Sequence, residues 1–225
     1  MQQQADHDDV TRYALYAGVA VPVLYFGIQL CAAPFYPGYS FLARDASTLG
    51  SAGSSVPAIF NAGSIVTGAV TLVAALGFFR AFQRRGVSLA LTWLTALALI
   101  GSAIGNVNAG LHPLPDPRHT DGLLAMLGMG LFLLPLLFPL SLWNVTALAS
   151  LRRYLVANAV ALLCLIPVMG GLLQRWSMMA GVDLPQLQFF LNHYQGGLQR
   201  IAAIGVFVPI GITAACLAAR PRALA

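Results

Sequence analysis

Six separate stretches of this chain run for about twenty residues almost without charge, and that property decides what it can fold into. A helix rises 1.5 Å per residue, so about 20 apolar residues cross the roughly 30 Å hydrocarbon core of a bilayer. Within lipid the backbone must satisfy its own hydrogen bonds, which leaves helices or closed barrels. The runs are continuous and lack the two-residue alternation of barrel strands, so helices follow. The spans are placed at residues 13–35, 57–79, 87–111, 121–142, 154–174 and 198–219. Each is about 21 to 25 residues, or roughly 32 to 38 Å. The expected fold class is all-α, a bundle of six transmembrane helices. The charged fraction, 8 %, against about 25 % in soluble domains, excludes a water-soluble globule.

The few charges set the topology. All twelve basic residues are Arg and all seven acidic residues are Asp. Basic residues near span ends are retained on the cytoplasmic side. With both termini inside, eight Arg (12, 80, 84, 85, 152, 153, 220 and 222) face the cytoplasm and four (44, 118, 175 and 200) face out. Residues 1–12 are polar and acidic, unlike the basic start of a signal peptide, and read as a disordered cytoplasmic tail; residues 220–225 form a second tail. The formal charge of +5 belongs to this topology, since no basic stripe with interleaved aromatics points to nucleic acid. Cys31, Cys164 and Cys216 lie in apolar runs without C-x-x-C spacing and read as small hydrophobes.

The outer loops carry the chemistry. Residues 36–56 hold Ser40, Arg44, Asp45, Ser47 and Thr48; the second outer loop holds His112, Asp116, Arg118, His119 and Asp121; the third holds Arg175, Asp183, His193 and Arg200. Three of the four His are there, the fourth being His7 in the tail. Polar residues within spans usually face the bundle interior, and Gln29, Asn61, Ser64, Asn106 and Asn108 all fall in the outer halves. Asn61, Ser64, Gly68 and Thr71 recur at i, i+3, i+7 and i+10, one helical stripe. A polar cavity opening outward is expected. Gly101-x-x-x-Gly105-x-x-x-Ala109 forms a small-residue ridge that lets another helix approach, most simply within the chain.

These residues support two functional readings. In the first, the catalytic residues are His119, His193 and Asp121, with Asp121 or Asp45 orienting one His as a general base, while Arg200 binds an anionic group and Asn61, Asn106, His112 and Asp45 help hold the substrate. The reaction would modify or hydrolyse a lipid or lipid-linked substrate, although no G-x-S-x-G elbow marks Ser40 or Ser47 as nucleophile. In the second, the same cavity binds a membrane lipid or small molecule without turnover, for sensing or transport assistance. His112, His119 and His193 with Asp116 or Asp121 are ligand types suited to Zn²⁺. Pro113, Pro115 and Pro117 interrupt any helix that would give ligand spacing, however, and neither a metal nor another cofactor is assigned. No charge sits mid-span to serve as a gate or relay, which disfavours a channel or pump.

Several motifs carry a resemblance. Phe35-Tyr36-Pro37-Gly38-Tyr39-Ser40, Ser47-Thr48-Leu49-Gly50 and Pro57-Ala58-Ile59-Phe60-Asn61-Ala62-Gly63, in that order, resemble the bacterial domain-of-unknown-function family 998. His112-Pro113-Leu114-Pro115-Asp116 followed by His119 resembles its second outer loop, and Gly197-Leu198-Gln199-Arg200-Ile201 the start of its last span. His112 departs from an aromatic position before the proline, and Gln199 stands where an acidic residue would accompany the Arg. The resemblance implies an integral protein of a bacterial inner membrane and conveys no activity. A more distant similarity to the six-span Frag1/DRAM/Sfk1 group, some of whose members are linked to lipid remodelling, is a likeness of fold.

Overall fold

The computed structural model describes residues 2–120, 122–169 and 185–219. Its elements are α1 (Gln2–Ala32), α2 (Ala58–Arg84), α3 (Leu89–Leu111), α4 (Leu123–Gly128), α5 (Leu134–Ser141), α6 (Ala149–Met169) and α7 (Pro185–Ala218), with short 3₁₀ turns between some of them and no strand among the described residues. Six segments are long and apolar enough to cross a membrane: Asp9–Phe35, Ala58–Arg84, Leu89–Leu111, Pro117–Ser141, Thr146–Leu165 and His193–Ala218. The architecture is that of an integral membrane bundle.

Three details differ from the sequence reading. Helix α1 extends through residues 2–12, where a tail was expected. The fourth span is composite, α4 and α5 being joined by the 3₁₀ turn Met129–Leu133. Gly128 and Gly130 weaken the helix there, and Pro135 lacks the N–H that would continue the α-helical ladder. The last helix starts at Pro185, so His193 lies on its third turn and not in a loop, and Arg200 on its fifth.

Packing divides the bundle into two halves. A solid apolar core built on Phe78, Phe82, Phe138, Leu15, Leu99, Leu155 and Ile210 fills the half in which α2 ends. At that end Arg85 closes the bundle, donating from Nη1 to the Ala81 carbonyl at 3.2 Å and from Nη2 to the Leu217 carbonyl at 2.8 Å. These orphan carbonyls at helix C-termini suit a cation. The other half holds loop one, the ends of α1 and α3, and the starts of α2 and α7. Its small-residue and polar positions leave the core incomplete.

Candidate functional site

Loop one, residues 36–56, is docked onto the start of α7. The Arg200 guanidinium reaches across it: Nη1 donates to the carbonyls of Phe41 at 2.8 Å, Arg44 at 2.9 Å and Gly196 at 2.9 Å, and Nη2 donates to the Tyr39 hydroxyl. Its plane also lies over the Phe41 ring, 4.9 Å from the centroid. On either side, Gln195 donates to the Asp45 carboxylate and the Ala46 N–H donates to Gln199 Oε1 at 2.7 Å. The Gly197 N–H donates to the Leu42 carbonyl at 2.9 Å. A Cβ on Gly196 would stand 2.2 Å from the Arg44 carbonyl oxygen, so only glycine permits this approach. Beneath the loop, Leu49 and Ala46 pack with Ala32 and Phe60, and Asn61 donates to the Gly50 carbonyl at 3.1 Å. Burial pushes the Tyr39 phenol above its ordinary pKa, against the opposing charge of Arg200.

Loop two is pinned differently. Asp116 Oδ1 caps the 3₁₀ turn Pro117–His119 by accepting from the Arg118 N–H at 2.9 Å, while the Arg118 side chain forks onto both carboxylate oxygens. These hydrogen bonds hold the Asp116 carboxyl well below the usual carboxylate range. A depressed folded pKa contributes stability that is complete above the unfolded value near 4 and is lost as the pH falls through the folded value. The difference in melting temperature between wild type and Asp116→Asn should therefore stay constant from pH 7 to about pH 4 and shrink only below it. It should also be small, because the pair is solvent-accessible.

Between loop one, loop two and the helices lies a cavity of about 490 Å³, within the range of small-molecule sites. Most of its wall is apolar, from Phe60 on α2, Ala109 on α3, Met126, Met129, Leu131 and Phe132 on the broken fourth span, and Ala203, Val206 and Phe207 on α7. Met126 and Met129 are also more than half exposed at the bundle's outer surface. Polar side chains reach the cavity from several elements, Tyr25, Ser47, Ser64, Thr120 and Gln199 among them, and three more form a ladder. His119 stands at the loop level, and Asn106 and Ser102 follow on α3, about 8 and 14 Å below that helix's end at 1.5 Å per residue. His119 Nδ1 lies 2.7 Å from the His112 carbonyl. A carbonyl only accepts, so Nδ1 carries a proton, and in the neutral tautomer this leaves Nε2 as the acceptor.

The cavity gathers some of the sequence candidates and leaves others aside. His119, Asn106 and Ser64 line it, with Ser64 donating to the Asn106 carbonyl at 2.8 Å. Arg200, expected to bind an anion, is committed to loop carbonyls, and Asp45 to Gln195. Asn61 serves loop one. His112 supplies its carbonyl to His119, and its ring lies 3.4 Å from the Asp116 carboxylate. His193 is exposed and stacked on Phe189, centroids 3.9 Å apart, and is not part of the lining. Asp121 lies outside the described residues. The expected polar stripe reaches the cavity only at Ser64, since Gly68 meets the α3 backbone and Thr71 donates to the Thr67 carbonyl. Among the described residues no group of three or more His, Cys, Asp or Glu could hold a metal ion. Sequence reasoning missed Ser102 and the cavity role of Gln199. The i, i+4 spacing of Ser102 and Asn106 was the available signal.

Fold and cavity together define a polytopic six-helix membrane protein with a largely apolar chamber beneath two ordered loops. The sequence model of the family described as a protein of unknown function, DUF998, matches residues 19–216, and the chain belongs to that family. No curated protein and no solved structure matches it.

Proposed function

We propose that this protein binds a lipid or lipid-like amphiphile inside the membrane, its apolar part in the chamber and its polar end on the ladder of Ser102, Asn106 and His119. One observation carries the reading: a space of about 490 Å³ whose wall is mostly apolar and carries a few polar side chains, Ser102, Asn106 and His119 among them, the form of a site that takes an amphiphile. The exposed Met126 and Met129 on the chamber wall give a lateral approach from lipid. The Arg distribution supports an orientation with the loop-one end on the outer face of a cytoplasmic membrane.

Ala125→Phe fills the chamber from α4, on a different helix from Ser102 and Asn106. Native mass spectrometry of the detergent-purified protein should show retained lipid in wild type and at least a tenfold lower occupancy in the variant, the equivalent of about 1.4 kcal/mol. Equal occupancy in both, or no lipid in wild type, overturns the reading. A catalytic reading of the same chamber is favoured by one feature, the acceptor His119 Nε2 oriented by the His112 carbonyl as a general base would be. Conversion of the bound lipid, abolished by His119→Gln with occupancy unchanged, would establish it.

A further inference from the structure

The hydrogen-bonding inventory of the chamber specifies the head of its ligand, and this step rests on the binding reading above. We propose that the site takes an amphiphile with an uncharged, hydroxyl-bearing head and rejects anionic phosphate or carboxylate heads.

The groups that remain after internal bonding decide the matter. Asn106 Nδ2 donates to the Ser102 carbonyl at 2.9 Å, which fixes the orientation of the amide and leaves Oδ1 as an acceptor. His119 leaves Nε2 as a second acceptor. Ser102 Oγ, on a residue with no exposed surface, has no hydrogen-bond partner at all. A buried hydroxyl without a partner is costly, and this one lies in the chamber wall where a ligand can supply the bond. Gln199, whose Oε1 accepts from Ala46, contributes its amide N–H as a neutral donor. The lining thus asks for one group that both donates and accepts, which a hydroxyl does.

An anion could accept from the Ser102 hydroxyl and the Gln199 amide but brings no donor for Asn106 Oδ1, and no Arg or Asp among the described residues lines the chamber. Of the nearby cations none lines the chamber: Arg118 is ion-paired with Asp116, while the terminal nitrogens of Arg200 serve three carbonyls and the Tyr39 hydroxyl and Arg44 donates to the Tyr36 hydroxyl. Moving an ionised head out of water without a counter-charge is heavily disfavoured, whereas a hydroxyl loses only the water bonds that the ladder replaces.

The test uses the full chain in phosphatidylcholine nanodiscs with two probes of identical tails, 1,2-dioctanoylglycerol and dioctanoyl phosphatidic acid. The neutral probe should bind at least tenfold tighter. Asn106→Leu should weaken the neutral probe about tenfold and leave the anionic one unchanged. Ser102→Ala should also weaken the neutral probe while leaving the melting temperature of the ligand-free protein undiminished, because the hydroxyl it removes has no partner there. Equal or tighter binding of phosphatidic acid, or indifference of the neutral probe to both variants, overturns the inference while the binding reading stands. If neither probe binds and no lipid is retained, both fail together.

Discussion

Replacing Arg200 by Met should release loop one from α7 and lower the stability of the protein by about 3 kcal/mol, the upper end of what hydrogen bonds to a charged group are worth. The side chain spans the junction with three carbonyl acceptors and one hydroxyl on its two terminal nitrogens. Methionine keeps the apolar stem and contact with the Phe41 ring, but leaves those acceptors to find water or remain unbonded. A melting temperature lower by on the order of 10 °C is expected from that loss. Limited trypsin digestion gives a local readout, since Arg44 lies in the docked loop with its carbonyl held by Arg200. The variant should be cut after Arg44 much faster than wild type. Arg200→Lys should not restore resistance, because an ammonium is a point charge and cannot hold the same fork of acceptors. A variant as stable and as protease-resistant as wild type would remove Arg200 from its structural role and return it to the candidates for ligand binding.

That junction shows where sequence reading succeeds and where it stops. Arg200 stands out at once as a cation near a span end, and anion binding is the simplest role for such a residue. Its actual partners are backbone carbonyls of Phe41 and Arg44, more than 150 positions away. Every residue type has a carbonyl, so nothing in the side-chain pattern reveals which segment supplies it. Gln199 follows the same logic, its acceptor oxygen occupied by the N–H of Ala46. The spans were legible because hydrophobic runs of bilayer length have few alternatives. The break in the fourth span has its own signal in Pro135, Gly128 and Gly130, residues that weaken a helix. What those residues shape, a chamber wall, depends on helices that meet only in three dimensions. His119 and Asn106 were named for their chemistry and do line the chamber. His193 was named on the same grounds, yet the helix that begins at Pro185 carries it to an exposed stack on Phe189.

A close approach of the fourth span to α3 supports the prediction that most directly tests the architecture of the chamber. A Cβ on Gly105 would lie 2.7 Å from the Gly128 Cα, and one on Gly128 would lie 2.8 Å from the Gly105 Cα. Both obstacles are backbone, so no rotamer change relieves them and the helices must move apart. Gly105→Leu should therefore cost about 3 kcal/mol or more, beyond the usual range for an added side chain in a core, because dispersion contact along the whole interface is lost with it. Even Gly105→Ala and Gly128→Ala should each destabilise measurably. Their effects should not add: once the first methyl has separated the helices the second meets less resistance, a coupling of about 1 kcal/mol in a double-mutant cycle. Retained lipid should fall in parallel, since Gly105 and Gly128 both line the chamber. Gly27→Ala is the control, its new Cβ meeting nothing within 4 Å. It should leave lipid retention intact and stabilise α1 slightly through helix propensity alone. Additive losses at 105 and 128, or tolerance of leucine at 105, would mean that the two helices do not touch there and that the chamber has a different wall.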